Sequence, residues 1–337
     1  MVFPVTLAME AGSAPLEVWQ AAVLGLVEGI TEYLPVSSTG HLILASSLMG
    51  LEKTEAIKAA VDDFNIVIQG GAILAVLGLY WPHVVRMVKG LLGNDGPGLM
   101  LFINLCVAFV PSAVVGLLLK DWINAHLFWA TPVLASLLVG GLFMIVLDAW
   151  GKSKFSMPPF SKNQPTVFDL SIRQALVVGC MQVLAMWPGT SRSMMTIAGG
   201  MFVGLRPRQA AEFSFLLGLP TLGAATVYSL LKNMKHAQET GTGNLFQTLG
   251  VVPCVVGLAV AAVAAAVAVK WLVGFLNRHG LAVFGYYRIV LAIVLGGLIW
   301  TGKVTIAAPV KEKAGVVGGG SVEVLKHGAG TAEGKQP

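Results

Sequence analysis

The chain has 337 residues, of which 55% are hydrophobic and 12% are charged. A soluble domain carries about 25% charged residues, so this composition excludes an ordinary soluble domain and indicates an integral membrane protein. The net charge of +5 falls largely in short loops between apolar segments, which indicates membrane topology and argues against nucleic acid as a partner.

Six apolar segments are long enough to cross a bilayer as helices, which takes about 20 apolar residues. They are continuous, whereas the strands of a barrel would appear as alternating segments of about ten residues. The sequence therefore predicts an all-α polytopic membrane protein. The predicted spans are residues 64–81, 99–119, 131–149, 210–231, 250–274 and 281–301.

A shorter apolar segment precedes the first span. A helix is predicted from Leu16 to Leu34, and it ends before Pro35 because proline lacks the amide hydrogen that a helix needs. After the polar "VSSTGH", only "LILASSLMGL" precedes the next charged residues. Ten helical residues rise about 15 Å, roughly half the hydrocarbon thickness. Residues 16–50 are therefore predicted to form a re-entrant hairpin, which enters and leaves the bilayer on one side.

Residues 170–204 repeat this arrangement. "IRQALVVGCMQVLAMW" is followed by a proline, the polar "GTSRS" comes next, and "MMTIAGGMFVG" is again short. The pattern predicts an internal duplication of about 150 residues. The matched pairs are Gln20 with Gln174, Gly25 with Gly179, Glu28 with Gln182, and Pro35 with Pro188.

Each predicted half holds one re-entrant hairpin and three spans. An odd number of crossings inverts the second half relative to the first, so the two hairpin tips are expected to meet near the midplane of the bilayer. The predicted divisions are a first repeat at 1–150, a cytoplasmic linker at 151–169, a second repeat at 170–301, and a disordered tail at 302–337.

The short loops predict the orientation of the chain. On one face, the loops at 82–98, 150–173, 205–209 and 276–280 carry nine Lys and Arg residues, whereas those on the other face carry five. The richer face is predicted to be cytoplasmic. The first hairpin then opens toward the outer side.

The first tip is dense in polar groups. Glu28 and Glu32 are four residues apart, so one helix face presents both carboxylates, which could share a proton or bind a cation. The simpler interpretation is one solvated and one capping glutamate. His41 begins the next half-helix and is suited to move a proton near neutral pH. The hydroxyls of the tip, which could take part in the chemistry or only cap that half-helix, belong to Ser37, Ser38 and Thr39.

The second tip supplies a permanent cation. The planar guanidinium of Arg192 matches phosphate oxygens, and the amides at the start of the following half-helix attract anions. Arg192 could instead form a structural ion pair with Glu28 or Glu32, and the two interpretations are compatible. Together the tips predict phosphoryl chemistry on a membrane-embedded substrate. Further donors and a close backbone approach are predicted from Gly189, Thr190, Ser191 and Ser193.

Two long motifs carry a resemblance to a known family. "EGITEYLPVSSTGH" holds a glutamate-x-x-x-glutamate and a serine-serine-threonine-glycine-histidine pattern, and "PGTSRSMMT" holds a proline-glycine-x-serine-arginine-serine pattern. With these motifs, residues 16–301 resemble the undecaprenyl pyrophosphate phosphatase family of bacterial membranes, the enzymes associated with bacitracin resistance. Two departures are the hydrophilic tail after Thr301 and an extended loop predicted from Lys232 to Leu249.

The resemblance implies a reaction and a place for it. The expected reaction is hydrolysis of a C55 isoprenyl diphosphate to the monophosphate plus phosphate, helped by a divalent cation, Mg²⁺ or Ca²⁺. The site is expected to open to the outer, periplasmic side of the bacterial cytoplasmic (inner) membrane, where the lipid carrier is recycled for peptidoglycan synthesis. The oligomeric state stays open, with a homodimer as one option.

The resemblance also implies roles for single residues. Ser191 and Arg192 are expected to bind the diphosphate. The nucleophile is left open between serine, histidine and water. The remaining implied roles are general base or metal ligand for Glu28 and Glu32, candidate nucleophile for Ser38, and proton donor or alternative nucleophile for His41.

Two other classes compete with this interpretation. The acid-phosphatase superfamily also uses a serine-arginine element, but it requires a histidine six residues after the arginine, where this chain has Ala198. That class is therefore excluded. A secondary transporter or lipid flippase is the non-enzymatic alternative, because inverted repeats with broken helices are typical of transporters.

Overall fold

A computed structural model describes residues 16–51, 55–154, 165–241, 244–304 and 306. Within these ranges the chain forms twelve helices and no strand, which confirms the all-α prediction. The helices are α1 (Val18–Thr31), α2 (Ser38–Leu48), α3 (Glu55–Leu79), α4 (Trp81–Leu91), α5 (Gly96–Leu127), α6 (Ala130–Lys154), α7 (Ile172–Leu184), α8 (Arg192–Phe202), α9 (Pro207–Thr240), α10 (Leu245–Leu249), α11 (Val251–His279) and α12 (Ala282–Trp300).

Six of the described helices, α3, α5, α6, α9, α11 and α12, are long and apolar enough to cross a membrane. The chain is a multi-pass membrane protein, as predicted. The span predicted at 64–81 ends earlier, at Leu79, because Tyr80 leaves helical backbone and Pro82 lies in the first turn of α4. The predicted loop from Lys232 to Leu249 is wrong, because α9 continues to Thr240 and α10 follows within the same stretch.

The pairs α1–α2 and α7–α8 form two short helical hairpins. Helices α2 and α8 have 11 residues each, so each rises about 16 Å, roughly half the hydrocarbon thickness. The entry helices begin with the same bond. The amide of Glu17 donates to Gln20 Oε1 at 3.1 Å, and the amide of Ser171 donates to Gln174 Oε1 at 2.9 Å. The two glutamines matched in the sequence therefore cap equivalent helices.

Glycines allow each hairpin to pack closely on the opposite half. Helix α1 packs along α11, and α7 packs along α5. A Cβ on Gly25 would lie 2.3 Å from the carbonyl oxygen of Gly257, and a Cβ on Gly179 would lie 2.5 Å from the carbonyl oxygen of Ala108. Matched glycines therefore contact the second span of the other half, which fits the predicted duplication. The inversion of the halves and the boundaries of the repeats stay predictions.

The core beneath the tips is aromatic. Phe64 and Phe213, which follow the matched hairpins at the start of the next spans, are fully buried. Tyr33, directly below the first tip, packs edge-on against Phe215 with ring centroids 5.4 Å apart. Most of the predicted linker and nearly all of the predicted disordered tail lie outside the described residues.

Replacing Gly25 or Gly179 with valine is expected to destabilise the protein, because the added side chain would push the hairpin away from its partner helix. Overpacking of this kind costs about 1–3 kcal/mol, occasionally more. Thermal unfolding in detergent measures the effect. Gly78→Val is the control, since nothing lies within 4 Å of a Cβ at that glycine. Equal unfolding midpoints for all three variants would contradict the packing argument.

Candidate active site

The tips of the two hairpins contact each other directly. Nη2 of Arg192, in the second hairpin, lies 3.2 Å from Oε1 of Glu32 in the first. The hydroxyl of Ser193 donates to the carbonyl oxygen of Leu34 at 2.9 Å. The side chains of Arg192 and Glu32 are only 11% and 6% exposed, so solvent screens this ion pair little. The two motifs therefore form one polar site.

Equivalent strained turns shape the two tips. Ser37 and Ser191 precede α2 and α8 with φ angles of 76° and 75°, and they are the only non-glycine residues with positive φ in the described part of the chain. Their hydroxyl oxygens accept hydrogen bonds from the amides of Gly40 and Met194, each at 3.4 Å. Backbone strain of this kind persists where the surrounding structure imposes it, and it is concentrated at functional sites.

Glu32 lies at the centre of the site and has a different partner on each oxygen. The hydroxyl of Ser38 donates to Oε2 at 2.8 Å, while Arg192 donates to Oε1. A hydroxyl hydrogen-bonded to a carboxylate can lose its proton to that carboxylate as its oxygen attacks an electrophile. Ser38 is half-buried and Glu32 is buried. The pair therefore has the geometry of a nucleophile with its base.

Arg192 is fixed by contacts to the protein and still has unpaired N–H donors. Its Nη1 donates to the carbonyl oxygen of Ser214 at 3.0 Å, and its Cζ lies 5.4 Å from the centre of the Tyr33 ring. Its Nε is buried without a partner. A guanidinium has five N–H donors, so most of them remain for the oxygens of a bound anion. The arrangement suits a phosphate group.

Glu28 is a fully buried carboxylate whose oxygens lie near the Gln69 side chain but make no hydrogen bond of normal geometry. Glu32 and Arg192 are the charged groups whose fields reach it. In the described ranges, no three His, Cys, Asp or Glu side chains lie close enough together to hold a metal ion alone. Mg²⁺ in proteins is commonly held by one or two carboxylates plus substrate phosphates. Glu28 and Glu32 are the side chains that could hold such a cation, and Glu32 would exchange its bond to Ser38 or Arg192 for it.

His41 is oriented on both ring nitrogens. Its Nδ1 lies 2.7 Å from the carbonyl oxygen of Ser37, and its Nε2 lies 2.7 Å from the hydroxyl of Tyr287. Because a carbonyl oxygen only accepts, Nδ1 carries the proton, and Nε2 accepts from the tyrosine in the neutral ring. His41 is half-buried and so remains reachable from outside the fold.

Two of the predicted binding residues, Gly189 and Thr190, make their contacts inside the protein. The carbonyl oxygens of Gly189 and Thr190 accept hydrogen bonds from Arg288, and the amide of Thr190 donates to the carbonyl oxygen of Trp187 at 3.0 Å. A Cβ on Gly189 would lie 2.2 Å from Oγ of Ser136. The close approach that this glycine permits is therefore to α6.

The remaining predicted binding residues divide into two groups. Ser37 and Ser193 are buried, and their hydroxyls are engaged with Gly40 and Leu34 respectively. Thr39 and Ser191 are half-buried. The amide of Ser191 meets no acceptor among the described residues, so it can donate to an anion, as amides at helix N-termini do.

Sequence reasoning missed several residues that support the tips. One of them, Arg288, could have been found from the sequence, because an arginine inside an apolar span is rare and usually functional. Arg288 lies in the predicted span at 281–301 and is fully buried. The others had no local signal, since their role depends on contacts between distant segments. The missed residues are Tyr33, Ser136, Tyr287 and Arg288.

The fold and the site together define a class. The chain is a polytopic helical membrane protein in which two short hairpins join a carboxylate, a hydroxyl and an arginine directly, with a histidine on the first hairpin. Comparison with known proteins agrees with this class. The family model described as Bacitracin resistance protein BacA matches residues 21–294. The chain belongs to that family.

Curated relatives that match the chain carry the name undecaprenyl-diphosphatase. The protein of Sorangium cellulosum is 45% identical over 278 residues, which are 82% of this chain and 85% of the relative. The protein of Bdellovibrio bacteriovorus is 41% identical over 283 residues, 84% of this chain and 96% of the relative. The protein of Polaromonas naphthalenivorans is 40% identical over 293 residues, which are 86% of this chain and 97% of the relative.

Removing either partner of the Glu32–Arg192 pair is expected to destabilise the fold, because the other charge would remain buried and unpaired. The expected cost is about 3–5 kcal/mol for Glu32→Gln or Arg192→Met alone. The double variant should lose clearly less than the sum of the two. Chemical unfolding in detergent micelles measures these free energies.

The control for this cycle is the exposed pair of Lys235 and Glu239, whose side chains are 77% and 62% exposed. Lys235→Met should change the free energy of unfolding by less than about 1 kcal/mol. Strictly additive losses at Glu32 and Arg192 would show that the two side chains do not stabilise each other.

Proposed function

We propose that the protein hydrolyses undecaprenyl diphosphate to undecaprenyl monophosphate and inorganic phosphate at the joined tips. The observation that carries the proposal is the position of Glu32, which contacts the Ser38 hydroxyl with one oxygen and the Arg192 guanidinium with the other. These contacts support roles for Ser38 as nucleophile, Glu32 as its base and Arg192 as the phosphate-binding cation. The names of the relatives support the identity of the substrate.

The reaction follows from these contacts. Ser38 Oγ attacks the terminal phosphorus in line with the bridging oxygen, and its proton passes to Glu32. The bond between the phosphorus and the bridging oxygen breaks, and undecaprenyl monophosphate leaves. Arg192 stabilises the charge that develops on the phosphoryl oxygens. Water then hydrolyses the phosphoserine and releases inorganic phosphate.

His41 and a water molecule are the alternative nucleophiles in this proposal. Once its bond to the Tyr287 hydroxyl opens, the unprotonated Nε2 of His41 can attack phosphorus, or it can take up and return a proton. In every case Arg192 and the Ser191 amide hold the terminal phosphate. The three routes therefore share one mode of phosphate binding and differ only in the nucleophile.

A divalent cation, Mg²⁺ or Ca²⁺, belongs to the proposal. Glu28 and Glu32 are the residues that would hold it, because the oxygens of Glu28 are buried without partners and both carboxylates lie in one site. When bound, such an ion neutralises phosphate charge and favours the departure of the leaving group. The side chains of the chain itself carry out the remaining steps.

The isoprenyl chain of the substrate is proposed to lie in an apolar groove of about 720 Å³ between α1 and α11. Leu34 lines this groove, and its carbonyl oxygen also accepts the hydrogen bond from Ser193 at the tips. The groove therefore adjoins the polar site. Its other lining residues are aliphatic or aromatic, as an isoprenyl chain requires, and include Leu26, Ile30, Ala259, Val263 and Trp271.

The proposed setting is the bacterial cytoplasmic (inner) membrane, with the site open to its outer side. This orientation rests on the excess of Lys and Arg in the loops of the opposite face. Hydrolysis there regenerates the monophosphate carrier for peptidoglycan synthesis. The name of the family links this activity to bacitracin resistance.

The decisive experiment measures phosphate release by the purified, detergent-solubilised protein given undecaprenyl diphosphate. Release is expected with Mg²⁺ or Ca²⁺, and removal of the cation with EDTA should slow it at least about 10-fold, with recovery when the cation is restored. Absence of release, together with passage of the intact lipid across a vesicle bilayer, would favour a transporter or flippase.

Variants with matched controls locate the chemistry in this assay. Ser38→Ala should lower turnover by about 1,000-fold or more, and Arg192→Lys by about 100-fold or more, because an ammonium cannot reproduce the planar fork. Ser46→Ala removes another buried hydroxyl of α2, one without a partner, and should retain activity. Retained turnover in Ser38→Ala would show that the nucleophile is His41 or water. Rapid quenching, followed by mapping of any phosphorylated residue, would distinguish these two.

Filling the groove should impair long substrates selectively. Ala259→Trp is expected to raise KM for undecaprenyl diphosphate about 10-fold while leaving KM for a short isoprenyl diphosphate within about twofold, since only the long chain needs the blocked space. Ala225→Trp, at an exposed alanine of α9 that does not line the groove, is the control. Equal effects of Ala259→Trp on both substrates would place the chain elsewhere.

A further inference from the structure

Helix α12 contacts both tips through two adjacent side chains. The hydroxyl of Tyr287 lies 2.7 Å from Nε2 of His41 in the first hairpin. Arg288 donates to the carbonyl oxygens of Gly189 and Thr190 in the second hairpin, at 2.9 and 3.1 Å. Neither residue belongs to the two motifs, and the chemistry proposed above does not use them.

Arg288 is a fully buried cation that binds only backbone oxygens. Its third acceptor is the carbonyl oxygen of Ser136 on α6, at 3.0 Å. None of the ion pairs in the described ranges includes it. Burying a guanidinium without a carboxylate is costly, so an apolar side chain would serve stability better. The guanidinium of Arg288 fits only because residue 140 is a glycine, where a Cβ would lie 2.5 Å from Arg288 Nη2.

The contacts of Arg288 orient the amides of the second tip. In a trans peptide the carbonyl oxygen and the amide hydrogen point in opposite directions. Because the carbonyl oxygen of Thr190 points at Arg288, the amide hydrogen of Ser191 points away from α12. That amide is the one without an acceptor among the described residues, and Arg192 follows it directly. Arg288 therefore sets the direction of a free amide at the residue that precedes Arg192.

Tyr287 constrains the histidine of the first tip. Its ring is stacked parallel to that of His41, with centroids 5.6 Å apart and planes 1° apart. The hydroxyl of Tyr287 donates to Nε2 while Nδ1 donates to Ser37. The two bonds together select the tautomer in which Nε2 is the basic nitrogen and fix the plane of the ring.

We propose that Tyr287 and Arg288 are positioning residues for the reaction, one for each tip. Arg288 holds the carbonyl oxygens of residues 189 and 190 so that the Ser191 amide is presented to the diphosphate beside Arg192. Tyr287 holds the His41 ring in its reactive tautomer. The inference rests on the proposed diphosphate hydrolysis and adds a second line of residues to the same site.

The test measures kcat and KM for phosphate release, normalised to folded protein. Tyr287→Phe removes only a hydroxyl from a half-exposed side chain, and it is expected to lower kcat about 10-fold with KM unchanged within about twofold. Tyr286→Phe, the same change at the neighbouring exposed tyrosine, should leave both constants unchanged. Arg288→Met should lower kcat about 100-fold, as expected when a reacting group is misplaced by about 1 Å.

Arg288→Lys separates positioning from folding. A lysine keeps a buried donor but cannot reach all three carbonyl oxygens, so it should restore part of the activity lost in Arg288→Met and remain about 10-fold below the wild type. If Arg288→Met does not fold, Arg288→Lys carries the test alone. Wild-type kcat in both Tyr287→Phe and Arg288→Lys would overturn the inference.

A second readout covers the case in which the wild type releases no phosphate, which would count against the proposed function alone. Binding of a non-hydrolysable isoprenyl methylenebisphosphonate is then measured by calorimetry. Arg288→Lys should weaken this binding about 10-fold relative to the wild type, whereas Tyr286→Phe should not change it. Unchanged affinity in Arg288→Lys would overturn the role assigned to Arg288.

Discussion

One carboxylate holds the two halves of the site together. Glu32 accepts a hydrogen bond from Ser38 in its own hairpin and from Arg192 in the other, across 160 positions of sequence. In a medium of low dielectric this shared acceptor aligns a hydroxyl and a guanidinium more strongly than it would in water. Without Glu32, Ser38 and Arg192 would lose the acceptor that they share.

The tips can meet because the helices below them approach closely. Gly25 and Gly179 place each hairpin against the backbone of a spanning helix in the opposite half. Non-helical backbone deep in a membrane is tolerated only where it is surrounded by protein or lines a polar cavity. Small residues let the helices pack closely, so the strained turns at Ser37 and Ser191 are surrounded by protein.

Several buried polar groups at and around the tips have no hydrogen-bond partner. The oxygens of Glu28 and the Nε of Arg192 are among them, and so is the Nε of Arg288, although the terminal nitrogens of Arg288 donate to three carbonyl oxygens. Unsatisfied buried polar groups are uncommon in folded proteins and call for an explanation. For Glu28 and Arg192 the proposed reaction offers one, because these two side chains would bind its cation and its anion.

The sequence by itself determined the six spans, the two short hairpins and the motif residues, because apolar length, proline breaks and polar runs are local properties of a chain. It erred at Lys232–Leu249, where helix continues through polar residues with no proline to stop it before Thr240. Only the tertiary structure decided that Glu32 is shared, that Gly189 is pressed against α6, and that α12 contacts both tips. Those contacts join segments as far as 246 positions apart, and their partners are set by how helices pack.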